Sequence, residues 1–138
     1  MIDDTYNANP ASTCASIRAA AEIARATSRR LVLVLGEMRE LGPEAAPGHD
    51  EVGRAAASSG AAHVFAVGTG EARRIADRAA EGGVSAAHAD RIEDIAELVK
   101  LAVRSGDLVL VKGSRSIGTE RVIAALALDD DRRNVGAA

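Results

Sequence analysis

Aromatic side chains are nearly missing from this chain: its 138 residues include one tyrosine, one phenylalanine and no tryptophan. The 47% hydrophobic content is therefore mostly Ala, Val, Ile and Leu, so any core must be aliphatic. Cysteine is as scarce. Cys14 stands alone, which excludes an internal disulfide framework and the paired spacing of a metal finger. Its place inside a helical pattern makes it a small packed thiol. No apolar run approaches the length of a membrane span, and no signal peptide precedes the first polar cluster. A formal net charge of -3 with interspersed signs gives no footprint for nucleic acid. These absences predict a soluble, cytoplasmic chain of one domain, without membrane insertion and long enough to bury a proper core.

Chemical engines are missing too. There is no Gly-x-x-x-x-Gly-Lys-Ser/Thr phosphate loop, no Ser/His/Asp or Cys/His set in a plausible order, and no metal cluster. Lysine is the last scarcity, since only Lys100 and Lys112 occur among 17 basic residues. Where arginine is the default cation, a lysine reads as a point charge chosen for a task.

What is present is a regular alternation. Leu31 to Leu35, His63 to Val67 and Leu108 to Val111 are short, nearly continuous apolar runs, as expected of strands buried on both faces. Val84 to Ala89 is a marginal strand suited to an edge. Between them lie helical periods: Ile17, Ala20, Ala21 and Ala24; a segment starting near Gly48-His49 with Asp50 and Glu51 in its first turn; Ile75, Ala76, Ala79 and Ala80; Ile92, Ile95, Ala96, Val99 and Ala102. Thr119 caps a last helix carrying Val122, Ile123 and Leu126, and residues 129–138 read as a charged, disordered tail. Strand–helix alternation with short connections predicts an α/β fold, a Rossmann-like, mostly parallel sheet with helices on both faces, spanning residues 1–128. The carboxyl ends of its strands then share one edge, where ligands bind.

Three stretches reach that edge. Lys112-Gly113-Ser114-Arg115 leaves the last strand and brings an ammonium, a flexible glycine, a hydroxyl and a guanidinium, read either as an anion site or as a charged surface turn. Gly36-Glu37-Met38 and Gly68-Thr69-Gly70 follow two other strands; the glycine pair is a fragment of a dinucleotide fingerprint without its third glycine. The opening Asp3, Asp4, Asn7 and Asn9 gather polar groups beside a helix that Asn9 caps and Pro10 starts, either as a capped turn or as a clamp for sugar hydroxyls or phosphate. This opening has no leading strand of any length, which suggests a chain cut from something longer. His49 beside two carboxylates lacks helical ligand spacing, so capping or solvation is its expected part, and His88 is expected to be structural.

Asp3-Asp4-Thr5-Tyr6-Asn7-Ala8-Asn9-Pro10-Ala11-Ser12 resembles the opening of the C-terminal domain of the Mur ligases of peptidoglycan synthesis. Leu35-Gly36-Glu37-Met38-Arg39-Glu40-Leu41-Gly42, with His49 and Val52-Gly53, and Val111-Lys112-Gly113-Ser114-Arg115, with Glu120-Arg121-Val122, match in the same order. The form of the first motif is most similar to the branch that adds D-alanyl-D-alanine to a UDP-MurNAc-tripeptide. Ile117-Gly118-Thr119 departs from the Met-rich link of that branch. The resemblance implies a third domain whose UDP-sugar and central ATPase partners are separate from it, with ATP and Mg2+ bound mainly by the central domain. It further implies that Lys112 serves the reaction, that Gly113, Ser114 and Arg115 hold the dipeptide, and that Asp3, Asp4, Asn7 and Asn9 face the nucleotide. A monomer, inactive as an isolated domain, is expected. The alternative is a free-standing α/β anion-binding module.

Overall fold

The structure, a computed structural model, describes residues 9–113 and the backbone of residues 2–4. The helix expected from Thr119 and the tail at 129–138 lie outside the described residues. Among the described residues, five strands form one sheet in the order β1-β5-β2-β3-β4, with every neighbouring pair parallel. They are β1 (Ile2–Asp4), β2 (Leu31–Gly36), β3 (His63–Val67), β4 (Ser85–Ala89) and β5 (Leu108–Lys112). The aliphatic runs occupy the centre because a strand covered on both faces needs apolar side chains in both directions. Every residue of β2 and of β5 is buried, whereas Ala-rich β4 closes one edge half-exposed.

Alternation along the strands separates two cores. Leu31, Leu33, Leu35, Leu108 and Leu110 point to one face with Ile17, Val52 and Ile75 from three helices. Those helices are α1 (Pro10–Ala26), α2 (Ala45–Ala57) and α3 (Arg73–Glu81). Val32, Val34, Phe65, Val67, Val109 and Val111 point to the other, against Ile92, Ile95 and Val99 of α4 (Ile92–Ala102). Leucine thus fills the face shared by three helices and β-branched valine the opposite one. Cys14 is a buried member of the first core, as expected. The fold class is the expected one, and the glycines at the end of α3 stop it as foreseen, with Gly82 as its cap and Gly83 at φ 89°.

Four expectations need correction. The opening does contain a strand: β1 pairs with β5 through Ile2–Leu110, Asp3–Val111 and Asp4–Lys112. Aspartates are poor strand formers, so the pairing is dictated by the exposed edge of β5 and not by local propensity. Helix α2 begins at Ala45, following a 3-10 turn at Gly42–Glu44, and not near Gly48. Pro47-Gly48 reads as a breaker, but proline is tolerated in the first helical turn, where its missing N–H would have no intrahelical partner. Asp50 and Glu51 consequently sit in the second turn. Ala80 is exposed and does not join Ile75, Ala76 and Ala79 in the core. Lys112 does not leave the sheet: it is the last residue of β5 and only 3% exposed.

At the amino edge of the sheet, a guanidinium fork ties three elements together. Arg30 Nε and Nη2 donate to the two carboxylate oxygens of Asp107 at 3.0 and 2.7 Å, and Nη2 also donates to the Ala102 carbonyl at the end of α4. The Arg104 amide donates to Asp107 as well. Burial pushes the Asp107 carboxyl up, but the bonds from Arg30 and Arg104 outweigh it and hold the group below its usual value. A carboxyl lowered in the folded state stabilises the fold above its unfolded value of about 3.9, and loses that contribution as pH falls through the folded value. Replacing it in Asp107→Asn is expected to lower the melting temperature by roughly 5 °C at pH 7. The deficit should shrink as pH falls through the folded value. Thermal melts of both proteins between pH 2.5 and 7 check this, and a deficit constant over that range would refute it.

Candidate functional site

The register fixes where the strand ends meet. Lys112 is level with Leu35 on one side and Asp4 on the other, and Gly36 is level with Val67. The carboxyl ends of β1, β5, β2 and β3 therefore share one edge, and the connections leaving them form its rim. The amino end of α1 stands at the same edge. The Thr13 hydroxyl lies 3.9 Å from Met38 Sδ, and a Cβ placed on Gly48 would come within 2.8 Å of Pro10 Cγ. Gly48 is thus small because the first turns of α1 and α2 touch there.

The segment after β2 is pinned at consecutive residues. The Glu37 amide donates to the Val67 carbonyl at 2.9 Å, prolonging the β2–β3 pairing by one bond. The Met38 amide donates to His49 Nε2 at 3.0 Å, while His49 Nδ1 donates to the Ala45 carbonyl at 2.6 Å. The carbonyl can only accept, so the hydrogen sits on Nδ1 and leaves Nε2 as an acceptor. His49 is fully buried. It neither caps nor is solvated, which corrects the expectation; it holds the rim from inside the first core.

Between those anchors the Glu37 side chain lies over the Gly68-Thr69-Gly70 turn. A Cβ on Gly68 would fall 2.7 Å from Glu37 Cβ, and one on Gly70 would fall 2.7 Å from Glu37 Oε1. Both glycines also hold positive φ, 135° and 65°. The glycine pair, which reads in sequence as part of a phosphate-binding fingerprint, here makes room for a glutamate. His88 braces the same turn by donating from Nε2 to the Gly68 carbonyl at 2.8 Å, the structural part expected of it.

The polar residues singled out in the sequence divide into four groups. Lys112 and Gly113 are buried at the centre of the edge. Asp3 and Asp4 are placed by backbone only, beside Val111 and Lys112. Asn9 stands at the rim, but its side-chain oxygen accepts from the Ser12 amide at 2.9 Å in a capping box, so one acceptor is already spent on α1. Asn7, Ser114 and Arg115 lie outside the described residues. The positions that sequence reasoning left without a role are Glu37, Gly68 and Gly70. Their signal was a glutamate and a two-glycine turn following adjacent strands, readable only once β2 and β3 are known to be neighbours.

Other polar clusters are structural. Asp50 receives Arg78 Nε at 3.0 Å and Arg74 Nη1 at 3.2 Å, tying α2 to α3. Burial pushes its carboxyl up, but these two arginines win and hold it below the usual range. A groove of about 390 Å³ between α1 and α2, lined by Arg18, Glu22, Arg25 and Ser58, lies toward the opposite edge, where two helix carboxyl ends make it poor ground for an anion. Among the described residues no group of three His, Cys, Asp or Glu side chains could hold a metal ion, and no helix is long and apolar enough to cross a membrane.

A parallel sheet with a cation and a capped helix at one edge is common to many proteins; the family signature decides among them. The family described as Mur ligase, glutamate ligase domain, matches residues 1–115. The chain belongs to the Mur ligase family. The UDP-N-acetylmuramoyl-tripeptide–D-alanyl-D-alanine ligase of Mycobacterium bovis is 39% identical over 147 residues, covering 94% of this chain and 29% of that protein. The ligase of the same description from Escherichia coli is 37% identical over 91% of this chain and 26% of its own length. In structure, the chain is similar to the MurF ligase of Thermotoga maritima in complex with ADP, with a TM-score of 0.67 and 30% identity over 94% of this chain and 28% of that one. The chain thus spans less than a third of the Mur ligases it matches.

Proposed function

We propose that this Mur ligase domain is the third domain of an ATP-dependent ligase that joins D-alanyl-D-alanine to a UDP-MurNAc-tripeptide in the cytoplasm. The observation that carries the reading is the 39% identity to such a ligase across 94% of the chain. The geometry supports it. A domain with a polar strand edge and few reactive groups suits closure over a separate ATPase centre. There ATP phosphorylates the tripeptide carboxylate, and the dipeptide amine attacks the acyl phosphate. ATP and Mg2+ belong mainly to that central domain, since this chain has neither a phosphate loop nor, among its described residues, a metal-ligand group. Asp3, Asp4, Asn7 and Asn9 face the nucleotide on closure. Gly113, Ser114 and Arg115 hold the dipeptide carboxylate, and Lys112 supplies positive charge where negative charge develops. The complete enzyme works as a monomer.

The test is phosphate release by the complete ligase with each amino acid or dipeptide in turn. Release that requires D-alanyl-D-alanine supports the reading, and release indifferent to it overturns the reading. Within that enzyme, Arg115→Ala is expected to raise the dipeptide KM about ten- to a hundredfold, the loss of one charge-assisted contact. Lys112→Met, which keeps volume in a buried slot, should lower kcat while leaving the nucleotide KM near its wild-type value. Wild-type kinetics in both would remove the assignment of these two residues.

A further inference from the structure

Among the described residues, one buried side-chain polar atom has no hydrogen-bond partner: Glu37 Oε2. Buried polar groups are nearly always bonded, and an unbonded carboxylate oxygen is costly, so this atom calls for a physical explanation. Its surroundings are unusually well prepared. The amides of Glu37 and Met38 are both tied down, to Val67 and to His49. Two glycines, each of which a Cβ would close, give the carboxylate its seat. The backbone on either side of the carboxylate is held firmly while Oε2 itself stays unbonded. Among the described residues, the cation within 4 Å of it is Arg39 Nη2 at 3.7 Å, beyond hydrogen-bond length, on a side chain 51% exposed.

We infer that Glu37 is the receptor for the ammonium group of the incoming amine substrate, and that Arg39 occupies that place until the substrate displaces it. The inference rests on the ligase reading above and adds to it the residue that recognises the other end of the dipeptide. A primary ammonium is small and carries three donors, so it can reach an oxygen that a guanidinium approaches only to 3.7 Å. The spacing agrees. Leu35 is level with Lys112, and neighbouring strands lie about 4.8 Å apart. Glu37 is two residues beyond Leu35, so its Cα lies roughly 8 Å from that of Lys112. An extended dipeptide spans about 7 Å. A zwitterion with its carboxylate near the end of β5 thus places its ammonium near Glu37. The two charges also set direction, because a reversed dipeptide would bring like charges together at both ends.

The experiment uses the complete ligase at saturating ATP and UDP-tripeptide. Glu37→Gln, isosteric but uncharged, is expected to raise the dipeptide KM about ten- to a hundredfold, with the nucleotide KM unchanged and kcat within about threefold. Arg39→Ala removes the internal competitor and should lower the dipeptide KM. Calorimetric titration with D-alanyl-D-alanine and with its N-acetyl derivative supplies a readout that a structural glutamate would not move. Acetylation should weaken binding to the wild type about tenfold or more, and should have little effect on Glu37→Gln. A wild-type dipeptide KM in Glu37→Gln, a raised one in Arg39→Ala, or an equal acetylation penalty in both proteins would each overturn the inference. Failure of the underlying ligase reading would be seen separately, as a wild-type enzyme that does not require the dipeptide. If Glu37→Gln does not fold, the opposite sign expected of exposed Arg39→Ala still decides.

Discussion

His49→Ala is expected to destabilise the domain by about 3–5 kcal/mol. Two costs add. The imidazole is fully buried, so its removal leaves a cavity in the first core, against α2 and the segment following β2. The Met38 amide, which now donates to His49 Nε2, would be left as a buried donor with no acceptor, a further cost of about 1–3 kcal/mol. The Ala45 carbonyl suffers less, because it lies in the first turn of α2 and faces an amide one turn along. Urea unfolding of both proteins gives the difference directly. A change below about 1 kcal/mol would mean that the Met38 amide finds another acceptor and that the rim is not held from within. Since the same bond anchors the chain next to Glu37, His49→Ala should also loosen the rim, seen as faster amide exchange at Met38 and Arg39 than within β2.

The second large effect concerns Gly53. A glycine inside a helix normally gains about 1 kcal/mol on replacement by alanine. Here the sign reverses. A Cβ at Gly53 would lie 2.6 Å from Arg78 Cβ, 2.9 Å from the Ile75 carbonyl oxygen and 3.1 Å from Ile75 Cα. Two of these are backbone atoms of α3 and cannot rotate away. Helices α2 and α3 must separate, weakening the buried contacts of Val52, Ala56, Ile75 and Ala79 and lengthening the Asp50 bridges to Arg74 and Arg78. Gly53→Ala is therefore expected to cost about 3 kcal/mol despite its better helix propensity. An unchanged or raised melting temperature would show that α3 shifts freely, and that the close approach is incidental.

The sequence was legible where a residue's role depends on its neighbours in the chain. Leu31 to Leu35 and Leu108 to Val111 declare buried strands because every side chain in them is apolar, and Ile92, Ile95 and Val99 declare a helix face by period. Asn9-Pro10 announced the start of α1 through chemistry contained in four residues. What stayed hidden depends on partners far along the chain. Strand β1 exists because β5 offers it an edge, and nothing in Ile2-Asp3-Asp4 says so. Lys112 is charged and ends an apolar run, so it reads as leaving the core, yet its register beside Leu35 keeps it in the sheet. His49 looks solvated beside Asp50 and Glu51, but within a helix that starts at Ala45 the rotation from one residue to the next turns His49 inward and Glu51 outward. Of the site, the shared edge was legible from alternation alone. The seating of Glu37 on Gly68 and Gly70 was not, because it needs β2 and β3 to be adjacent.

The position of β5 also sets the order in which the molecule can be made. Strands β2, β3 and β4 are consecutive in both sequence and sheet, so each can pair with its predecessor as it leaves the ribosome. Strand β1 cannot. Its neighbour in the sheet is β5, and Ile2 waits for Leu110, roughly a hundred residues behind it. At ~5–20 residues per second, the first strand spends on the order of 5–20 s without its partner. Until then β2 shows an open edge, and the leucines and valines that β5 will cover stay wet. A nascent chain halted before Leu108 should therefore be a half-sheet with an unpaired central strand, a form that invites chaperones and pairing with other chains.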